Sequence, residues 1–105
     1  MELVRVLLVE DDLADQMSFK RFIKKNELNY TYQIAGSVQD AIHLLDTETF
    51  DIILADHSLG DGTAFDLFEY IPNTSAVIFV TGNDNVNIAV KALKSGASDY
   101  LAKDI

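Results

Sequence analysis

Apolar residues along this chain fall into short blocks that break at acids, glycines or amides, and the blocks alternate between two periodicities. Leu3 to Val9 is almost entirely Val and Leu, the composition of a buried strand, and it stops at Glu10-Asp11-Asp12. A helical spacing follows from about Ala14 to Lys25, with Phe19, Phe22 and Ile23 on one face and the basic residues toward the C-terminal end, where the helix dipole favours them. Tyr30 to Ala35 is a more polar strand, suited to a sheet edge. Ser37 is placed to cap a helix with Asp40 at the capping-box position, and Val38, Ala41, Ile42 and Leu45 form its stripe.

The next block, Ile52-Ile53-Leu54-Ala55, is short and wholly apolar, which predicts a strand buried on both faces. It breaks at Asp56 and runs into turn chemistry at Gly60, Asp61 and Gly62. A short helix is predicted from about Ala64 to Tyr70, ended with the help of Pro72. Ala76 to Val80 is a fourth strand. The turn Thr81-Gly82-Asn83-Asp84 can cap a further helix through Asn83 or Asp84, with Val86, Ala89, Val90 and Leu93 as its core face and Gly96 just past its end. Asp99 to Ala102 is a fifth, short strand.

Five strands alternating with helices call for a doubly wound α/β fold with a parallel sheet. Right-handed crossovers bring all five carboxyl ends to one edge, where open sheets of this class hold their ligands. That edge receives Glu10, Asp11 and Asp12, then Asp56, Thr81 and Lys103. Clustered carboxylates repel unless a cation intervenes, and Mg²⁺ suits one or two carboxylates completed by water and phosphate oxygens. The turn after Thr81 offers a hydroxyl and helix N-terminal amides to phosphate, and Lys103 offers a mobile point charge. The combination fits phosphoryl transfer to Asp56 as a carboxylate nucleophile.

Composition narrows the alternatives. The 105 residues suffice for one domain, spanning 1–105, and 49 % apolar content argues against disorder. A net charge of −9 and scattered basic residues disfavour direct nucleic-acid binding. There is no cysteine, no run long enough to span a membrane and no signal-peptide cleavage site, so a soluble cytoplasmic domain is expected. No G-x-G-x-x-G follows any strand, which weakens a flavin or dinucleotide role.

Four pieces, LLVEDD, DIILADHSLGDG, VIFVTGN and ALKSGASDYLAKD, occur in an order and spacing that resembles the receiver domain of two-component response regulators over essentially the whole chain. The resemblance implies a flavodoxin-like sheet of order 2-1-3-4-5 and a phosphoryl group accepted by Asp56 from a histidine kinase or phosphotransfer protein. It implies Mg²⁺ bound by Asp11, Asp56, Glu10 (through water) and the backbone carbonyl of Ser58, with Thr81 and Lys103 on the phosphoryl oxygens. Tyr100 occupies the aromatic switch position, so phosphorylation would change the surface offered to an output domain or partner protein. On this view the isolated domain is not an enzyme beyond catalysing its own phosphorylation and dephosphorylation, although a longer parent could be a hybrid histidine kinase.

Two positions depart from the family pattern: Gly60 and Asp104 stand where prolines are common, which should loosen the loop after Asp56 and change how Lys103 is presented. The usual fifth helix is missing after the last strand, which predicts an apolar patch over the first and fifth strands and a homodimer through it. A phosphate-independent binding module is the alternative function. An aspartate-nucleophile phosphatase is weaker, since those enzymes carry D-x-D after the first strand and this chain has Glu10-Asp11-Asp12. His57, next to Asp56, should point to the opposite side of its strand and lie at the surface. His43 lies off the apolar stripe of its helix, and Asp61 and Gly62 shape the turn.

Overall fold

A computed structural model describes residues 3–82 and 86–103, apart from the side chains of Thr81 and Val86. β1 (Val4–Val9), β2 (Tyr30–Ala35), β3 (Ile52–Ala55), β4 (Ala76–Thr81) and β5 (Asp99–Ala102) form one sheet of order β2-β1-β3-β4-β5. Every pairing is parallel, and the register sets Val9 beside Ala55, Ala55 beside Phe79, and Thr81 beside Ala102. Three α-helices and one 3₁₀ helix make the crossovers: α1 (Leu13–Lys25), α2 (Val38–Thr47), the 3₁₀ helix Ala64–Tyr70 and α3 (Val86–Ser95). The doubly wound parallel sheet expected from the alternating pattern is therefore present, in the flavodoxin-like order that the resemblance implies. The described element that follows Asp56 is 3₁₀, and the last described element is β5.

Side chains alternate across each strand, so each strand of the sheet feeds two faces. Leu7, Val9, Ile53, Ala55, Val77 and Phe79 point to one face and are fully or almost fully buried with Ala41, Leu59, Leu67 and Ala92. Phe79 is the centre of that layer, stacked on Phe68 and tilted against Phe65. On the opposite face α1 lies along one side, where Phe19 meets Tyr32 edge-on at 5.4 Å. Val6 and Leu8 are buried there, whereas Ile52, Leu54, Ile78 and Val80 are half-buried and Leu101 is 48 % exposed. The expected apolar patch thus lies over β3 to β5 and not over β1, because α1 already shelters the first strand.

Two helix faces differ from the periodic reading. Phe22 of α1 is exposed among Arg21, Lys24 and Lys25 rather than packed with Phe19 and Ile23. Among the described side chains of α3 the fully buried one is Ala92, while Val90 and Leu93 are exposed. Alanine lets that helix approach the sheet closely, and the bulkier branched residues are left on the outer side. The Asn83 and Asp84 caps proposed for α3, and Asp104, lie outside the described residues.

Helix starts follow the capping chemistry. The Asp12 carboxylate accepts from the Ala14 and Asp15 amides at 2.8 and 3.2 Å, and the Ser37 hydroxyl accepts from the Asp40 amide at 3.0 Å. No described helix is long and apolar enough to cross a membrane.

Candidate functional site

The carboxyl ends of β1 and β3 are tied together by the backbone, and this positions the acids. The Glu10 amide donates to Ala35 O at 2.9 Å and the Asp56 amide donates to Val9 O at 2.9 Å, extending the ladder one residue past each strand. Glu10, Asp11 and Asp56 consequently each present one carboxylate oxygen within 4.8 Å of the others. Glu10 is the only buried charged residue among those described, at 3 % exposure, and its second oxygen accepts from the Asp12 amide at 3.2 Å. Three hard oxygen donors so close together, with no sulfur or imidazole among them, fit an oxygen-loving divalent cation.

Lys103, just beyond β5, closes this acidic pocket. Its ammonium donates to Glu10 and to Asp15 of α1, the latter at 2.7 Å, and stands 3.6 Å from Asp56 Oδ2. Burial alone would depress the lysine, but the hydrogen bonds to Asp15 and Glu10 outweigh it and hold its pKa above the ordinary range. Glu10 is shifted upward because burial costs its carboxylate more than Lys103 and the Asp12 amide return, and the Asp56 charge adds to the rise. Both directions follow from one arrangement: the ammonium is shared among several carboxylates, whereas Glu10 has, among the described residues, a single cation and an anionic neighbour. A cavity of about 340 Å³ opens beside these groups, floored by Leu8, Phe19, Leu54 and Val80.

The backbone places Thr81 at the end of β4, paired with Ala102, on the strand between those leading to Asp56 and Lys103. Tyr100 pairs with Phe79 and is half-buried against the core. Ser58 is exposed and bridges Thr63 across the loop. His57 does not join the carboxylates. Its ring packs edge-on against Phe65 at 5.7 Å and lies 3.3 Å from the Ser58 hydroxyl, so it is half-buried rather than fully at the surface.

The loop after Asp56 is held by contacts that the sequence did not announce. Asp61 accepts from the Val38 and Gln39 amides at 2.8 and 3.1 Å, so this carboxylate caps α2 from outside the helix. Those two hydrogen bonds lower its pKa. Gly62 passes so close that any side chain there would meet Asp66 and Val38. Gly60 has φ of +50°, a conformation closed to proline, so the glycine at this position selects a different path for the loop instead of merely loosening it.

Asp15 and Asp61 are the site-edge residues that sequence reasoning missed. Asp15 had a usable signal: it lies four residues before Phe19 and eight before Ile23, on the sheet-facing stripe of α1 and at its edge-proximal end. Asp61 had none beyond its turn propensity, because its partners lie 22 and 23 residues away.

The family model described as the response regulator receiver domain matches residues 6–105. The response regulator protein PilR of Pseudomonas aeruginosa is 40 % identical over 75 residues, covering 68 % of this chain and 17 % of PilR. The alginate biosynthesis transcriptional regulatory protein AlgB of Pseudomonas putida is 32 % identical over 102 residues, covering 94 % of this chain and 22 % of AlgB. The chain thus spans about a fifth of the length of these curated relatives. Among solved structures, a response regulator receiver domain protein (CheY-like) from Methanospirillum hungatei superposes with a TM-score of 0.86 at 28 % identity, covering 99 % of this chain and 84 % of that one. A response regulator protein from Burkholderia pseudomallei, containing a phosphorylated aspartic acid, a calcium ion and citrate, gives a TM-score of 0.85 at 25 % identity over 97 % of this chain and 61 % of its own. With a family model matched from the first strand onward, and a sheet edge built from the acids and lysine that its sequence blocks carry, the chain belongs to the response regulator receiver domain family.

Proposed function

We propose that residues 1–105 act as one phosphoacceptor receiver domain whose nucleophile is Asp56. The observation that carries this reading is the convergence of Glu10, Asp11 and Asp56 within 4.8 Å, with the Lys103 ammonium 3.6 Å from Asp56 Oδ2. The donor is the phosphohistidine of a histidine kinase or phosphotransfer protein. An Asp56 carboxylate oxygen forms a bond to phosphorus as the phosphorus–nitrogen bond breaks, and the electron pair leaves with the imidazole nitrogen, which then takes a proton. Hydrolysis by water later returns the carboxylate and releases inorganic phosphate, so the domain promotes its own phosphorylation and dephosphorylation without being a separate enzyme.

Asp11, Asp56 and the Ser58 carbonyl, with Glu10 acting through water, would hold Mg²⁺, which when bound would offset negative charge on the carboxylates and the phosphoryl oxygens. The Thr81 hydroxyl and Lys103 bind phosphoryl oxygens. Phosphorylation adds roughly −1.5 to −2 charges at neutral pH, enough to redistribute Lys103 among its carboxylate partners. Thr81 and Tyr100 carry that change to the α3–β5 surface as a population shift. An output domain or partner protein reads it, in a cytoplasmic protein longer than this chain, which could include a hybrid histidine kinase. Dimerisation through the open face over β3 to β5 belongs to the same proposal.

Beryllofluoride, a phosphoryl mimic, tests this reading. With Mg²⁺ present it should shift amide resonances of residues 100–103 and of α3, and Asp56→Asn should abolish the shifts. Unchanged spectra at saturating mimic would favour the phosphate-independent module, and steady turnover of phosphomonoesters would favour the phosphatase.

A further inference from the structure

The mechanism above leaves Asp15 unused, although it makes one of the two hydrogen bonds that fix Lys103. We propose that Asp15 is the positioning residue for Lys103: it holds the ammonium beside Asp56, shared between Glu10 and the rim, and keeps it from being wholly taken up by the acidic pocket as an internal cation. The inference rests on the proposed reading of Asp56, Glu10 and Asp11 as the cation-binding acids.

The lysine has three N–H donors. Two are directed to Glu10 and Asp15, and Asp56 Oδ2 lies beyond at 3.6 Å. Of these three acids only Asp15 stands outside the Glu10, Asp11 and Asp56 set. A cation held by that set competes with Lys103 for Glu10 and Asp56 but not for Asp15. Of these three, Asp15 is therefore the partner that can hold the ammonium in both states, and from α1 it gives the lysine a second anchor at the rim of the pocket besides its bond to Glu10.

A carboxylate in the first turn of a helix is favourable on dipole grounds alone and needs no partner. Asp15 nevertheless reaches a residue 88 positions away, from the stripe of α1 that faces the sheet. Lys103 is followed by Asp104, so no proline ring restrains the backbone beside it. A side-chain tether from α1 supplies restraint at the amino group instead.

The sharpest consequence concerns Mg²⁺ affinity. Without Asp15, Lys103 keeps its bond to Glu10, is free to close the 3.6 Å gap to Asp56 and competes more strongly with the cation. Asp15→Asn should weaken Mg²⁺ binding by about 2- to 5-fold, the scale of a partly exposed ion pair, and Asp15→Glu should retain most of the affinity. Loss of a nearby negative charge also weakens cation binding directly, so the decisive comparison is a double-mutant cycle with Lys103→Met. Mg²⁺ would be titrated by calorimetry into the wild type, Asp15→Asn, Lys103→Met and the double variant, with thermal unfolding in chelator confirming that all four fold.

Positioning predicts that the Asp15→Asn loss shrinks or disappears when Lys103 is methionine. An equal loss in both backgrounds, or no loss in either, overturns the proposal. Beryllofluoride uptake is read separately on the same proteins. If the wild type binds Mg²⁺ with the coupling intact but takes up no beryllofluoride, the phosphoacceptor reading fails while the role of Asp15 stands.

Discussion

Replacing the nucleophile should make the metal-free domain more stable, and the site geometry sets the size of the effect. Asp56 lies no more than 4.8 Å from carboxylate oxygens of Glu10 and Asp11. Unit charges at that separation repel by about 3.5 kcal/mol at an effective dielectric of about 20, so the two pairs oppose folding by about 7 kcal/mol. Lys103 at 3.6 Å returns about 4.6 kcal/mol on the same scale. The balance is a net repulsion of about 2.4 kcal/mol, which screening at the exposed Asp11 reduces to about 1–2 kcal/mol.

Asp56→Asn keeps the side chain's size and removes its charge, and among the described residues the carboxylate has no hydrogen bond to lose. In chelator at low salt the variant should therefore melt roughly 5–10 °C above the wild type, using the usual conversion for a domain of about 100 residues. Circular dichroism melts would measure the shift. Saturating Mg²⁺ should reverse the order, because a ligand at about 100 times its dissociation constant stabilises by about 2.7 kcal/mol and the variant lacks one of the three acids. A variant that melts at or below the wild type in chelator would refute the claim that these acids repel one another and are held together for function at a cost in stability.

The remaining expectations concern the scaffold. Phe79→Ala empties the centre of the core, where the ring is fully buried between Phe65 and Phe68, and should cost about 3–5 kcal/mol in urea titrations. Asp61→Ala should lower hydrogen-exchange protection of the Val38 and Gln39 amides and leave the β1 amides unchanged. Because the folded-state pKa of Asp61 is depressed, its contribution is present above the ordinary aspartate value of 3.8 and is lost as pH falls through the lower folded value, so the same protection should fade in acid. If the open face over β3 to β5 mediates self-association, Leu101→Glu should lower the apparent mass in sedimentation equilibrium, since Leu101 is 48 % exposed beside half-buried Ile78 and Val80.

What could be read in advance was whatever depended on where strands end. Glu10, Asp56 and Lys103 each terminate or follow an apolar block, and a parallel sheet has only one edge to which those ends can go. The short strand β3 was legible for the same reason, but it is buried on one face only: Ile53 and Ala55 are enclosed, whereas Ile52 and Leu54 are half-buried. Partner choice was not. Asp15 carries the expected first-turn acid of a helix and Asp61 the expected acid of a turn, and in each case the second role depends on a residue brought near by the crossovers. Helix faces were legible only where the stripe is broad: α2 buries Val38 and Ala41 as its spacing implies, whereas α3 turns Ala92 inward and leaves Val90 and Leu93 outside. Periodicity ranks positions by hydrophobicity, but close packing against a twisted sheet rewards small size as well. The consequence of Gly60 was likewise hidden, because an absent proline says what the backbone is free to do and only its φ of +50° says what it does.

The central claim is that Asp56 takes up a phosphoryl group when a divalent cation is available, and intact-protein mass spectrometry tests it most directly. The chain would be incubated with acetyl phosphate and Mg²⁺, quenched in acid to preserve the acyl phosphate, and weighed beside Asp56→Asn and a sample in chelator. The wild type should gain one phosphoryl group, and the variant and the Mg²⁺-free sample none. An unmodified wild type, or an adduct that survives in Asp56→Asn, would contradict it.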